Sequence, residues 1–122
     1  MRIFKNAWFN RYARKERLTD VVLQRAVSQA EQGLIDADLG SGVIKQRVAR
    51  KGHGKSGGYR TIILLRRGDK AFFMYGFAKS DRNNLSEDEL IAFRKAAKEY
   101  LSLSDEQIAQ LLEAKALTEV QP

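Results

Sequence analysis

Apolar residues along the chain follow first a helical period, then a strand period, then a helical one again. Trp8, Phe9, Tyr12 and Ala13 fall at i, i+1, i+4 and i+5, the pattern of an amphipathic helix. A second helix is expected after a capping Thr19 or Asp20, with Leu23, Ala26, Val27, Ala30 and Leu34 as one stripe and Gly33 near its end. Arg2 to Lys5 suits a short opening strand, and Asp36 to Gly42, with Gly40-Ser41-Gly42, reads as a loop. Three strand-like runs follow: Val43 to Arg50, Tyr59 to Arg67 and Ala71 to Ala78. A hairpin-sized turn, Gly68-Asp69-Lys70, makes the last two antiparallel neighbours, and a Gly-rich loop from Lys51 to Gly58 joins the first two. No helix-length segment separates any of them, which predicts an antiparallel sheet rather than a doubly wound parallel one.

The last third has clear helix punctuation. Ser86 and Glu89 form a capping box, Leu85 and Leu90 are placed for a hydrophobic staple, and Leu90, Phe93, Ala97 and Leu101 form the stripe. Ser104 with Gln107 and Leu103 with Ile108 repeat the device for a short final helix continued by Leu111 and Leu112. The expected architecture is α+β: two N-terminal helices packed on a small antiparallel sheet, with C-terminal helices. At 122 residues the chain has length for one core. Residues 1–101 are expected to form the main domain and 102–122 a C-terminal helical extension of it.

Composition narrows the classes. Hydrophobic residues at 43% and charged ones at 30% suit a folded globule. Cys is absent, so no disulfide framework exists, in keeping with a reducing compartment. The longest apolar run, Ile62 to Leu65, is far short of a membrane span, and the N-terminus has no apolar signal segment. A cytoplasmic protein with no membrane partner is expected. The net charge of +7 is unevenly spread: residues 45–82 hold 11 basic and 2 acidic residues, whereas residues 83–122 hold 4 and 8. So concentrated a field suits a polyanion, nucleic acid first.

The segment Gly52-His53-Gly54-Lys55-Ser56-Gly57-Gly58 contains a literal G-x-G-x-x-G and a Gly-Lys-Ser. Neither is a phosphate loop, because such loops lead from a strand into a helix N-terminus and this one leads into a strand. Strand alternation places Lys45, Arg47 and Ala49 on one face, with Ile44, Gln46 and Val48 on the other. Arg60 shares a face with Ile62 and Leu64, and the third strand runs into Lys79-Ser80-Asp81-Arg82. Lys45, Arg47, Arg60, Lys79 and Arg82 can therefore converge on one surface. A solvated basic face is the plain alternative, but eleven cations for two carboxylates is a costly arrangement without a bound anion.

With one His, no Cys and no carboxylate cluster in the basic region, ligands for zinc or a two-metal centre are missing, and no cofactor or metal is expected. His53 reads as a solvated loop residue. Metal-free phosphodiester cleavage remains feasible on RNA, whose 2′-hydroxyl is the nucleophile; the protein then needs a base, cations for the charge on the phosphate and a proton donor for the leaving 5′-oxygen. Like charges disfavour the ammonium form of a Lys set among Arg residues and move it toward general-base duty, while Arg serves as the clamp. Arg50, Lys51 and Lys55 join the candidate RNA-binding residues, with Tyr59 and Tyr75 for base stacking.

At these residues the chain resembles the RelE/HigB superfamily of bacterial type II toxins. The segments are Val43-Ile44-Lys45-Gln46-Arg47-Val48, then residues 54–62 (Gly-Lys-Ser-Gly-Gly-Tyr-Arg-Thr-Ile), then Tyr75-Gly76-Phe77-Ala78-Lys79-Ser80-Asp81-Arg82-Asn83-Asn84. The likeness runs over about residues 2–101 and is closest to the HigB-like branch. It implies a RelE-like fold similar to small microbial ribonucleases, and an mRNA interferase that cuts mRNA in the ribosomal A site without a metal and inhibits translation. It also implies silencing by a cognate antitoxin, expected to be a helix-turn-helix DNA-binding protein. On the resemblance, Lys45 and Arg47 match the basic pair of the central strand, Arg60 the phosphate-clamping Arg, and Lys79 with Arg82 the basic segment after the last strand. Lys45 is then the candidate base, Arg47 and Arg60 the clamps, and Lys79 or Arg82 the acid or leaving-group stabiliser. The C-terminal Tyr or His that some members place beside the scissile base has no clear match, Tyr100 lying on the helix. Two other readings stay open: a gyrase inhibitor of the ParE branch, and a non-enzymatic basic nucleic-acid-binding module.

Overall fold

A computed structural model describes residues 1–50 and 54–122. The chain opens with β1 (Arg2–Asn6), α1 (Ala7–Glu16) and α2 (Asp20–Glu31), continues through β2 (Ala37–Gly40), β3 (Val43–Arg50), β4 (Gly54–Arg66) and β5 (Lys70–Ala78), and closes with α3 (Glu87–Tyr100), α4 (Asp105–Glu113) and β6 (Leu117–Glu119). The strands form one sheet in the order β2-β3-β4-β5-β1-β6. This is the expected α+β architecture, with corrections in the sheet. Every pairing is antiparallel except β1 with β5, which run parallel with Phe4 opposite Phe72. The segment read as a loop from Asp36 contains β2, and the second half of the Gly-rich loop belongs to β4, which starts at Gly54.

Local chemistry explains the helix limits. Asn6 caps α1 by accepting from the Phe9 amide at 2.7 Å, and Thr19 caps α2 through the Val22 amide. Both expected capping boxes form, Ser86 with Glu89 and Ser104 with Gln107. The α2 stripe buries Leu23, Ala26, Val27 and Ala30, but the helix ends at Glu31, so Leu34 falls beyond it and is exposed.

The sheet buries both faces, which is why β5 is buried at eight of its nine positions. On one face α1 and α2 cover Ile44, Val48, Tyr59, Ile63 and Phe73; on the other α3 and α4 pack against Val43, Ile62, Leu64 and Phe72. Gly76 lies where α1 crosses β5: a Cβ there would stand 2.8 Å from the Tyr12 ring. A register shift between Val48 and Arg50 bends β4 against β3, and Gly58 fits because a Cβ would lie 2.4 Å from the Val48 carbonyl oxygen.

Residues 102–122 are built into this body. Ile108 and Leu117 are buried in the second core, β6 pairs with β1, and Arg2 donates twice to Glu119, from Nε at 2.9 Å and Nη2 at 3.0 Å.

Candidate functional site

The site grows out of strand register. Lys45 lies opposite Ile62, which lies opposite Tyr75; one step along, Arg47 lies opposite Arg60, which lies opposite Phe77. Residues paired across a sheet share a face, so Lys45, Arg47, Arg60, Tyr75 and Phe77 all stand on the α3 side. Its inner part is filled by Val43, Ile62, Leu64 and Phe72 beneath α3 and α4, while the end toward Arg47 and Arg60 carries the cations.

Arg47 and Arg60 are like charges directly opposite each other, an unfavourable pairing. Asp36 offsets it: its carboxylate lies 3.0 Å from Arg47 Nε and 3.9 Å from Arg60 Nε. Arg47 remains half exposed, whereas Arg60 is 6% exposed. Among the described residues, Arg60 Nη1 is the one buried side-chain nitrogen or oxygen with no hydrogen-bond partner.

Arg82 enters the same face from the turn after β5. Its guanidinium lies 5.4 Å from the Phe77 ring centre and 5.9 Å from that of Tyr75. Nη1 donates to the Tyr75 hydroxyl at 3.2 Å and to Glu89 Oε2 at 3.1 Å, Nη2 donates to Glu89 Oε1, and Nε and Nη2 donate to the Asn84 carbonyl. The hydrogen bond to Glu89, then that to Tyr75, raises the pKa of Arg82 further. Held by Glu89, Tyr75 and Asn84, the guanidinium is a fixed positive charge on this face. The same contact, followed by the Ser86 backbone N–H, lowers the Glu89 carboxyl to about 2. Glu89 therefore both caps α3 and anchors Arg82.

The sign of the acid response follows. A depressed carboxyl contributes stability that is complete above its unfolded value of 4.5 and is lost as pH falls toward about 2. Wild type should lose more stability across that window than Glu89→Gln, read as melting temperature against pH. The difference should be small because the pair is only partly buried and still screened by solvent, and superimposable acid limbs in the two proteins would refute the assignment.

The other candidates divide. Tyr75 is half-buried on the cationic face and stacks near Trp8, Phe77 and Phe93, with Trp8 at 4.5 Å between ring centres. Tyr59 is corrected: it is 3% exposed on the opposite face, donates to Glu16 Oε1 at 2.8 Å and meets Tyr12 edge-on, so it offers no ring to a base. Lys79 is exposed just beyond β5. Lys51 and His53 lie outside the described residues, as do the side chains of Arg50 and Lys55. Tyr100 packs edge-on against Phe72 within the core. Among the described residues no three His, Cys, Asp or Glu side chains form a group able to hold a metal ion.

Sequence reasoning missed Asp36 and the second role of Glu89. The signal for Glu89 was present, since a capping box beginning four residues after Arg82 brings its carboxylate back toward that Arg.

Fold and site together define a small α+β domain whose sheet displays a cationic cluster, backed by aromatic rings, on one face. The chain belongs to the RelE toxin family: the family described as RelE toxin of RelE / RelB toxin-antitoxin system matches residues 1–120. It is a toxin of a toxin–antitoxin system, and toxins of this family pair with an antitoxin. No curated protein sequence matches the chain. Among the described residues no helix is long and apolar enough to cross a membrane.

Proposed function

We propose that this toxin is a metal-independent endoribonuclease that cuts mRNA in the ribosomal A site and so inhibits translation in the cytoplasm. The observation that carries the reading is Arg60: a buried guanidinium with a donor lacking any partner among the described residues, beside Arg47 and on the face of Lys45. An unmet buried donor costs roughly 1–3 kcal/mol, and a phosphate oxygen is the group that relieves it while answering the local excess of positive charge.

In this reading Lys45 takes the proton of the RNA 2′-hydroxyl, and the 2′-oxygen attacks the adjacent phosphorus. Arg47 and Arg60 hold the charge that builds on the non-bridging oxygens. Lys79 gives its proton to the departing 5′-oxygen, and Arg82 supplies a fixed positive charge nearby. The products are a 2′,3′-cyclic phosphate and a 5′-hydroxyl, so the proton balance closes without a metal or cofactor. Tyr75 is the stacking residue on this face, Arg50, Lys51 and Lys55 extend the grip on the RNA backbone, and the cognate antitoxin is a helix-turn-helix DNA-binding protein.

The test is the purified chain with ribosomes carrying a defined mRNA, in excess chelator. New ends bearing 5′-hydroxyl groups are expected within the codon in the A site. Intact mRNA ends the reading. DNA breaks with intact mRNA would point instead to gyrase, and salt-dependent RNA binding without cut ends to a binding module.

A further inference from the structure

Between Lys45 and Arg47, on the far side of β3, lies Gln46, a polar side chain only 2% exposed. Its amide nitrogen donates to the Ala26 carbonyl at 3.1 Å and the Leu34 carbonyl at 2.9 Å, and its amide oxygen accepts from the Asp36 backbone N–H at 3.0 Å. Gln46 thus satisfies three backbone groups of α2 and of the connection leaving it. The start of that connection is tied back to α2 by the Gly33 and Leu34 amides, which donate to the Ala30 and Gln29 carbonyls, and Ile35 packs on the first core, but the Asp36 amide is held by Gln46. The residue it fixes most directly is Asp36, whose carboxylate meets Arg47 at 3.0 Å and Arg60 at 3.9 Å on the cationic face.

We propose that Asp36 is a positioning residue that sets the two guanidinium groups of the site, and that Gln46 holds Asp36 in place from the opposite face of the sheet. The inference rests on the ribonuclease reading above. Without the carboxylate, Arg47 and Arg60 are adjacent like charges that repel and separate. With it, both are held within one site at a cost: Asp36 is also an anion beside the place a phosphate must occupy. It therefore weakens ground-state binding of RNA while orienting the groups that meet the transition state. A residue needed only for folding would not have these opposed effects.

The readout is single-turnover cleavage of ribosome-bound mRNA, which gives a rate at saturation and a half-saturating enzyme concentration for each protein. Asp36→Asn should bind more tightly yet cleave roughly 10²-fold more slowly at saturation. Asp36→Glu, which keeps the charge, should return binding to the wild-type value and recover part of the rate. Gln46→Met should lower the saturating rate with little change in the half-saturating concentration; if that variant does not fold, the two Asp36 variants decide the matter alone. An Asp36→Asn protein that cleaves as fast as wild type or faster overturns the inference, as does one whose rate falls only with its folded fraction. Wild type that leaves mRNA intact overturns the ribonuclease reading and this inference with it, whereas active wild type with an indifferent Asp36→Asn overturns the inference alone.

Discussion

Replacing Arg60 with Ala should lower mRNA cleavage by roughly 10²–10³-fold, the usual loss when one preorganised stabiliser of developing charge is removed. The folded chain should meanwhile lose little stability. The two expectations share a cause. Arg60 is buried in β4, its nearest carboxylate oxygen is 3.9 Å from Nε, a like charge stands directly opposite, and Nη1 is unsatisfied among the described residues. Burying a cation so poorly compensated costs free energy, and relief of that cost offsets the packing lost with the aliphatic stem; an apolar replacement of similar volume, Arg60→Met, should be neutral or stabilising. On the proposed reading a bound phosphate offsets that cost by accepting from the unmet donor. Arg60→Lys should fall between Arg60→Ala and wild type, since it restores the charge but not the two-pronged donor geometry. Cleavage by Arg60→Ala at the wild-type rate would remove Arg60 from the site. A destabilisation large enough to account for the lost activity would make Arg60 a structural residue.

Legibility in the sequence followed the range of the forces involved. Both capping boxes lie within four residues, and the alternation of Val43 to Arg50 within eight, so local pattern placed α3, α4 and β3 close to their observed limits. β6 is three residues long and β2 four, and each exists through the strand beside it. The same holds for the start of β4: Gly54 to Gly58 has poor intrinsic strand propensity, yet pairing with the end of β3 makes it strand. The parallel pairing of β1 with β5 joins segments more than sixty residues apart, and nothing in either run specifies its direction.

The candidate site divides along the same line. That Lys45 shares a face with Arg47, and Arg60 with Ile62, is a matter of parity within one strand and is local, whereas bringing Arg60 onto the face of Arg47 takes the register between β3 and β4. Parity also bears on Tyr59, which precedes Arg60 and so points to the opposite face; composition suggested a stacking ring where alternation places a core residue. Asp36 was out of reach because its position depends on a buried glutamine ten residues later that bridges the middle of α2 and the connection after it.

Ending the chain after Leu101 should abolish cooperative folding, although the proposed site lies wholly within residues 1–101. The segment from 102 onward supplies Ile108, Leu117 and Val120, exposed by only 1%, 2% and 4%. At about 1.5–3 kcal/mol for each buried side chain, their loss rivals the 5–15 kcal/mol by which domains are stable. Removing β6 also strips β1 of one of its two neighbours, freeing the Ile3 carbonyl that accepts from the Val120 amide at 2.8 Å and the groups that face Leu117 to Glu119. An edge so exposed invites association between chains. Lys70, only 8% exposed, loses the Leu103 carbonyl to which its Nζ donates at 3.0 Å. The truncated protein should therefore have no cooperative urea transition at 25 °C or should aggregate, while Ile108→Ala in the full chain should fold with about 2–5 kcal/mol less stability. A truncated chain that melts like wild type would make the C-terminal segment an accessory. The expected collapse would make it part of the scaffold that holds β5 beside β4, and hence Phe77 opposite Arg60, so that activity is lost through the sheet rather than through any contact with RNA.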